Sequence, residues 1–256
     1  MRFKMKYSED IFCTADKLSF LASLTGENWT INKEGAKENN ILLSYLMHTY
    51  EKLLKENKIF ISEDEKYSIF NTGLFNSYFE PIYAYLEPNK SKRPNSSKWY
   101  LIRFSTQYEL ARSGVSPDNL PGRANYFEDP SLLIFDTNCP ISIQFEHILN
   151  DPNNIERLPK NLKDSPVLTN LFNGAVQTMI KQVAANYKLA VPQYYKGKIQ
   201  LLLPLCLERP GVPDLALVVS KTKDNKYYQG HTCLTMDMAY NNARLIAKPE
   251  SNWLKI

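Results

Sequence analysis

A chain of 256 residues, 43% hydrophobic and 23% charged, is long enough for one large or two small domains and apolar enough to bury a sizeable core. No apolar run approaches the roughly 18 residues that cross a bilayer, and the N-terminal "MRFKMKYSEDIF" lacks the apolar stretch and cleavage site of a secretion signal. The four cysteines, Cys13, Cys139, Cys206 and Cys233, lie far apart without a C-x-x-C pair, so free thiols in a cytoplasmic protein are expected rather than disulfides or a structural zinc site.

The formal charge of +4 is unevenly spread. Residues 152–256 hold 14 Lys/Arg against 7 Asp/Glu, a net of +7, whereas residues 1–151 hold 17 against 20, a net of −3. A basic second half suits an anionic partner such as a nucleotide or RNA, although solvated lysines read the same way.

In chain order, Leu18, Leu21, Ala22 and Leu24 recur at helical spacing with Gly26 as a stop. Asn40 is the expected cap of a helix over "ILLSYLMHTYEKLLKEN", whose apolar stripe is Leu42, Leu46, Tyr50, Leu53 and Leu54, with His48 off the stripe. Strand-like runs follow in "KIFI", "YSIFN", "IYAYLE" and "WYLIRF", the last two joined by the polar loop "PNKSKRPNSSK". "SLLIF" reads as a buried run, and "ISIQFEHILND" begins with strand alternation before turning helical near His147. A second helix, "NLFNGAVQTMIKQVAANYK", aligns Phe172, Val176, Met179, Ile180, Val183 and Tyr187 on one face. "KIQLLLPLCL", "DLALVVSKT" and "YYQGHTCLTM" are expected to form an antiparallel meander, with Pro204 marking an edge or bulge. No internal repeat is visible. The expectation is a single α+β domain over 1–256, with a mixed or antiparallel sheet, a C-terminal meander and packed helices.

Several common machines are missing. No glycine-rich phosphate loop, G-x-S-x-G elbow or H-E-x-x-H helix occurs, and histidines at 48, 147 and 231 are too scattered for a multi-histidine metal site, so neither a cofactor nor a metal is expected.

Four polar clusters remain. Asn71 and Thr72, with Gly73, follow a strand where short side chains and backbone N–H groups can meet a ligand, or they form a β-turn. His147, near Glu146, Asn150 and Asp151, is a candidate general acid or base, or a structural histidine. In "NYKLAVPQYYKGKIQ", Lys181, Lys188, Lys196 and Lys198 interleave with Tyr187, Tyr194 and Tyr195 around Gln193, a mixture that suits phosphate contact and base stacking but also core-covering tyrosines. In "LTMDMAYNNARL", a strand would put Thr235 and Asp237 on one face, and a following helix would put Tyr240 and Arg244 one turn apart. Arg244 then offers a planar fork to phosphate or pairs with Asp237, and Asn241 with Asn242 serves the turn.

The strings "FNTGLF", "LPGRANYFEDPSLLIFD", "EHILND", "NYKLAVPQYY", "IQLLLPLCL" and "LTMDMAYNNARLIAKPESNWL" resemble the domain of unknown function 3825 over about Leu18 to Leu254. Its members are bacterial and fungal, and the domain can sit beside cold-shock-like or other RNA-binding modules. The resemblance therefore implies RNA or nucleotide metabolism by association, and it assigns no catalytic residue.

Three functions follow as expectations. The first is a nucleotide- or RNA-recognising domain with a pocket lined by Asn71, Arg123, Tyr194, Tyr195, Tyr240 and Arg244. The second is a metal-independent hydrolase or phosphodiesterase with His147 as acid/base and Arg244 or Lys188 holding phosphate. The third is a protein-interaction domain in which the same aromatics form a hot-spot patch. No membrane partner is expected, and the residues leave open whether the chain is an enzyme.

Overall fold

The computed structural model describes residues 10–31, 35–91, 93, 96–126 and 129–254. The chain divides into two compact units, Met1–Asn125 and Tyr126–Ile256. Each is built around its own five-stranded sheet, so the α+β class holds with two mixed sheets.

The N-terminal unit runs β1 (Ile11–Phe12), α1 (Ala15–Thr25), α2 (Asn40–Lys55), β2 (Phe60–Ile61), β3 (Ser68–Phe75), β4 (Pro81–Pro88), β5 (Trp99–Ser105) and α3 (Gln107–Arg112), with sheet order β1-β5-β4-β3-β2. Gly26 takes the left-handed conformation that ends α1. Asn39, not Asn40, is the cap residue of α2, and the Asn40 side chain instead accepts the Ile31 N–H at 3.1 Å. Leu42, Leu46, Tyr50 and Leu53 bury the expected stripe against the sheet, while Leu54 stays 43% exposed because it points off the buried face.

The C-terminal unit runs β6 (Ile141–Ser142), α4 (Phe145–Asn150), α5 (Pro152–Arg157), α6 (Leu168–Ala185), β7 (Val191–Tyr195), β8 (Lys198–Leu205), β9 (Leu215–Lys221), β10 (Tyr228–Leu234) and α7 (Met236–Arg244), with sheet order β6-β10-β9-β8-β7. The meander is β8–β9–β10, antiparallel throughout. One sheet face carries Leu201, Leu203, Leu217 and Val219 into a core with Phe172, Val176, Met179 and Val183 of α6. Pro204 pairs with Ala216 on β9, and the β7 ladder ends at the Val191–Leu202 pair, so its missing N–H costs no ladder bond on that side. Two expectations fail here. Ser131–Phe135 is no buried run but mostly a 3-10 turn with Leu132 and Ile134 exposed, and Tyr187 leaves the α6 stripe for a 3-10 turn where it is 56% exposed.

The two units repeat one another, which the sequence does not reveal. In each, the first strand among the described residues is two residues long and pairs parallel with the last, Ile11 opposite Trp99 and Ile141 opposite Tyr228. In each, the last strand carries a one-residue bulge four residues before a threonine that caps the following helix. The bulged residues are Ile102 before Thr106 and His231 before Thr235. Along β4 and β9 every register pair corresponds, so Tyr85 and Glu87 stand where Val218 and Ser220 stand. The same fold is written twice in different residues.

Asn71, Thr72 and Gly73 lie inside β3 rather than after it, at a register shift in the β3–β4 ladder. Gly73 has φ +77°, and a Cβ there would meet the Tyr45 hydroxyl at 2.6 Å. Gly73→Ala should therefore cost about 3 kcal/mol, from left-handed strain plus overpacking, read as a lower urea midpoint at unchanged m. A neutral substitution would show that the bulge relaxes freely.

Candidate functional site

The "NYKLAVPQYYKGKIQ" cluster of the sequence folds as a 3-10 turn, the edge strand β7 and a tight hairpin. Asn186 caps the turn by accepting the Lys188 N–H at 3.2 Å. Lys196 and Gly197 close the hairpin with φ of 47° and 84°, the mirror-image turn that matches strand twist. Lys188, Tyr195, Lys196 and Lys198 stand exposed, with the Lys196 ammonium 5.2 Å from the Tyr195 ring centre. Tyr194 is half-buried edge-on to Tyr126, the ring centres 4.8 Å apart.

Helix α7 packs on the sheet face opposite α6. Asn242 Nδ2 donates to Gln193 Oε1 at 3.0 Å, and Gln193 Nε2 donates to Gln200 Oε1 at 3.0 Å, a chain of amides tying helix to strands. That network explains how Gln193 can be buried at 1% exposure.

The opening of α7 corrects the sequence reading. "TCLTMDM" is not one strand: β10 stops at Leu234, Thr235 caps the helix by accepting the Met238 N–H, and Asp237 lies in its first turn. Thr235 and Asp237 share no strand face. Tyr240 and Arg244 are both buried and engaged within the fold. Asn241 Nδ2 bonds back to the Asp237 carbonyl at 3.0 Å, and its buried Oδ1 has no hydrogen-bond partner.

Beside the far end of α7, a groove of about 550 Å³ opens against β7. Val191, Pro192, Ala243 and Ile246 contribute apolar lining, and Lys188, Lys248, Glu250 and Ser251 supply polar groups. Ser251 Oγ donates to the Lys188 carbonyl and Trp253 Nε1 to the Leu189 carbonyl, which fixes the C-terminal segment along the groove. Of the expected site residues, Lys188 lines this groove; Tyr194, Tyr195, Tyr240 and Arg244 do not.

A second hollow, about 710 Å³, is lined by Gln144, Phe145, Glu146, Asn150 and Asp151. The side chain of His147 lies outside the described part of the structure. In the N-terminal unit, Asn71 and Thr72 are buried with their polar atoms engaged within the fold, the Asn71 Nδ2 donating to the Pro121 carbonyl at 3.4 Å. Asn71 Oδ1 accepts the Gly73 N–H and Thr72 Oγ1 donates to the Ile82 carbonyl. Arg123 is exposed, its guanidinium 5.1 Å from the Phe75 ring centre.

Sequence reasoning passed over the Ser220–His231 pair, whose Oγ and Nε2 are 2.7 Å apart. The available signal was Gly230 inside a strand-like run, a common mark of a bulge. Burial, then the nearby Lys198, holds the His231 imidazole below its ordinary pKa. Cys13 and Cys233 are buried thiols pushed up to about 12, which leaves them without nucleophilic thiolate near neutrality. Among the described residues no group of three or more His, Cys, Asp or Glu is placed to hold a metal ion, and no helix is long and apolar enough to cross a membrane.

Two helix-backed mixed sheets, with a groove beside the edge strand β7, define an α+β protein. The chain belongs to the family described as Domain of unknown function (DUF3825), which it matches over residues 21–253. No curated protein and no solved structure matches it.

Proposed function

We propose that the chain recognises a nucleotide or a short RNA along β7 of the C-terminal unit. The observation that carries this reading is the groove of about 550 Å³, whose largely apolar lining also includes Lys188 and Lys248 beside Glu250. An apolar floor takes a planar, weakly hydrated base, and flexible lysines take phosphate charge as point cations. At the other end of the strand, exposed Tyr195 beside Lys196 adds an aromatic surface with a cation, the pairing that single strands use for stacking. The net +7 of residues 152–256 supplies long-range attraction for a polyanion. Gln193, Tyr240, Asn241 and Arg244 then act from beneath, holding β7 and α7 in place.

Titration with nucleoside monophosphates and short single-stranded RNA tests this by amide NMR. Perturbation is expected at Lys188–Tyr195 and Ala243–Ser251, weakening as salt rises. Ligands that perturb neither segment would contradict the reading.

A second reading, a protein-interaction domain, draws on the β3–β4 hairpin of the N-terminal unit. Tyr78 and Phe79 are 83% and 84% exposed at its tip, and Phe79 has φ +60°. The Asn76 side chain pins that strained turn by accepting the N–H groups of Tyr78 and Glu80. Strain kept in order to display two aromatics suits a hot-spot contact.

A further inference from the structure

The sheet face of the C-terminal unit opposite the α6 core is only partly covered by α7, and the open part carries a second polar cluster. Ser220 sits on β9 one rung beyond the Leu201–Val219 pair, which puts Gln200 of β8 beside it. His231 is the bulged residue of β10, and the bulge swings its ring towards Ser220. Both side chains are half-exposed, and Lys198, two residues before Gln200 on β8, is exposed. The fold itself does not require these residues. At the matching positions of the N-terminal unit, Glu87 and Ile102 support the same sheet and the same bulge.

We propose that Ser220, His231 and Lys198 form a phosphate-binding site that takes the phosphate group of a nucleotide, a step that rests on the nucleotide reading given above. Three strands each contribute one group of suitable chemistry. The Ser220 hydroxyl donates once His231 takes up a proton, the imidazolium donates through its ring nitrogens, and Lys198 supplies charge. Burial, then Lys198, disfavours the proton on the His231 ring. A phosphate dianion would offset both by charge attraction and draw the proton back on, so binding and His231 protonation are linked.

The experiment follows the His231 ring by NMR across pH, with no addition and then with adenosine, inorganic phosphate or AMP. Phosphate and AMP are expected to raise the apparent His231 pKa, and adenosine to leave it unchanged. Lys198→Met should weaken the effect about tenfold in phosphate concentration and Ser220→Ala several-fold, shares expected for single charge-assisted and neutral hydrogen bonds. A response to inorganic phosphate without one to AMP assigns the site to free phosphate and overturns its nucleotide part. AMP that perturbs the β7 groove while the His231 titration stays fixed overturns this site and leaves the nucleotide reading standing. If nothing shifts anywhere, both fall.

Discussion

Arg244→Ala is expected to lower the stability of the protein by about 3 kcal/mol, the range seen when one member of a buried, partnered charge is removed. Arg244 is 7% exposed in the last turn of α7, where a cation also complements the helix carbonyls. Alanine deletes a buried side chain that is engaged within the fold, and Arg244→Lys keeps the charge but loses the planar fork, so it should fall between. Urea denaturation at constant m reads both. RNA affinity per folded molecule should stay unchanged. A loss of affinity in either variant with stability intact would instead make Arg244 a phosphate contact, the role its sequence position first invites.

The second large effect tests the repeat. Trp99 and Tyr228 hold the same place in the two sheets, opposite the short parallel strand, at 3% and 2% exposure. Trp99→Ala and Tyr228→Ala should each cost about 3–5 kcal/mol, as for large aromatic-to-alanine changes in a core. Tyr228 also stacks on Phe135, ring centres 4.6 Å apart, and its hydroxyl accepts the Asp136 N–H at 2.9 Å. Hydrogen exchange locates the damage: protection should fall in β1 and β5 for Trp99→Ala, and in β6 and β10 for Tyr228→Ala. If either substitution spares its own first strand, the two positions are not equivalent.

How much of this could be read in advance follows from what leaves a pattern. The stripes of α2 and α6 were legible because burial on one helical face repeats at 3.6 residues; the errors, Leu54 and Tyr187, fall at the ends, where a pattern continues after the buried face has stopped. The meander was legible from its apolar runs and turn residues. The two-residue parallel strands β1 and β6 are too short to show alternation. The duplication was invisible because register and bulge position are backbone properties. Glu87 and Ser220, or Ile102 and His231, satisfy the same geometry with unrelated chemistry, and the capping threonines Thr106 and Thr235 are too common a signal to betray it. For the candidate site, the interleaved lysines and tyrosines coincide with β7, the strand beside the groove. Composition could not tell which would be exposed: Gln193, Tyr240 and Arg244 went inside, and the groove partners Ile246 and Lys248 carry no motif.

The most direct measurement of the central claim is the salt dependence of binding of a short single-stranded RNA to the native chain and to the Lys188→Ala, Lys248→Ala double variant. Each lysine that neutralises a phosphate contributes about 0.7 to the slope of log affinity against log salt on a single strand. Binding to the native chain should weaken steadily with salt, and the double variant should bind more weakly with a slope flatter by about 1.4. Affinity indifferent to salt, or a double variant that binds like the native chain, would contradict RNA recognition at the β7 groove.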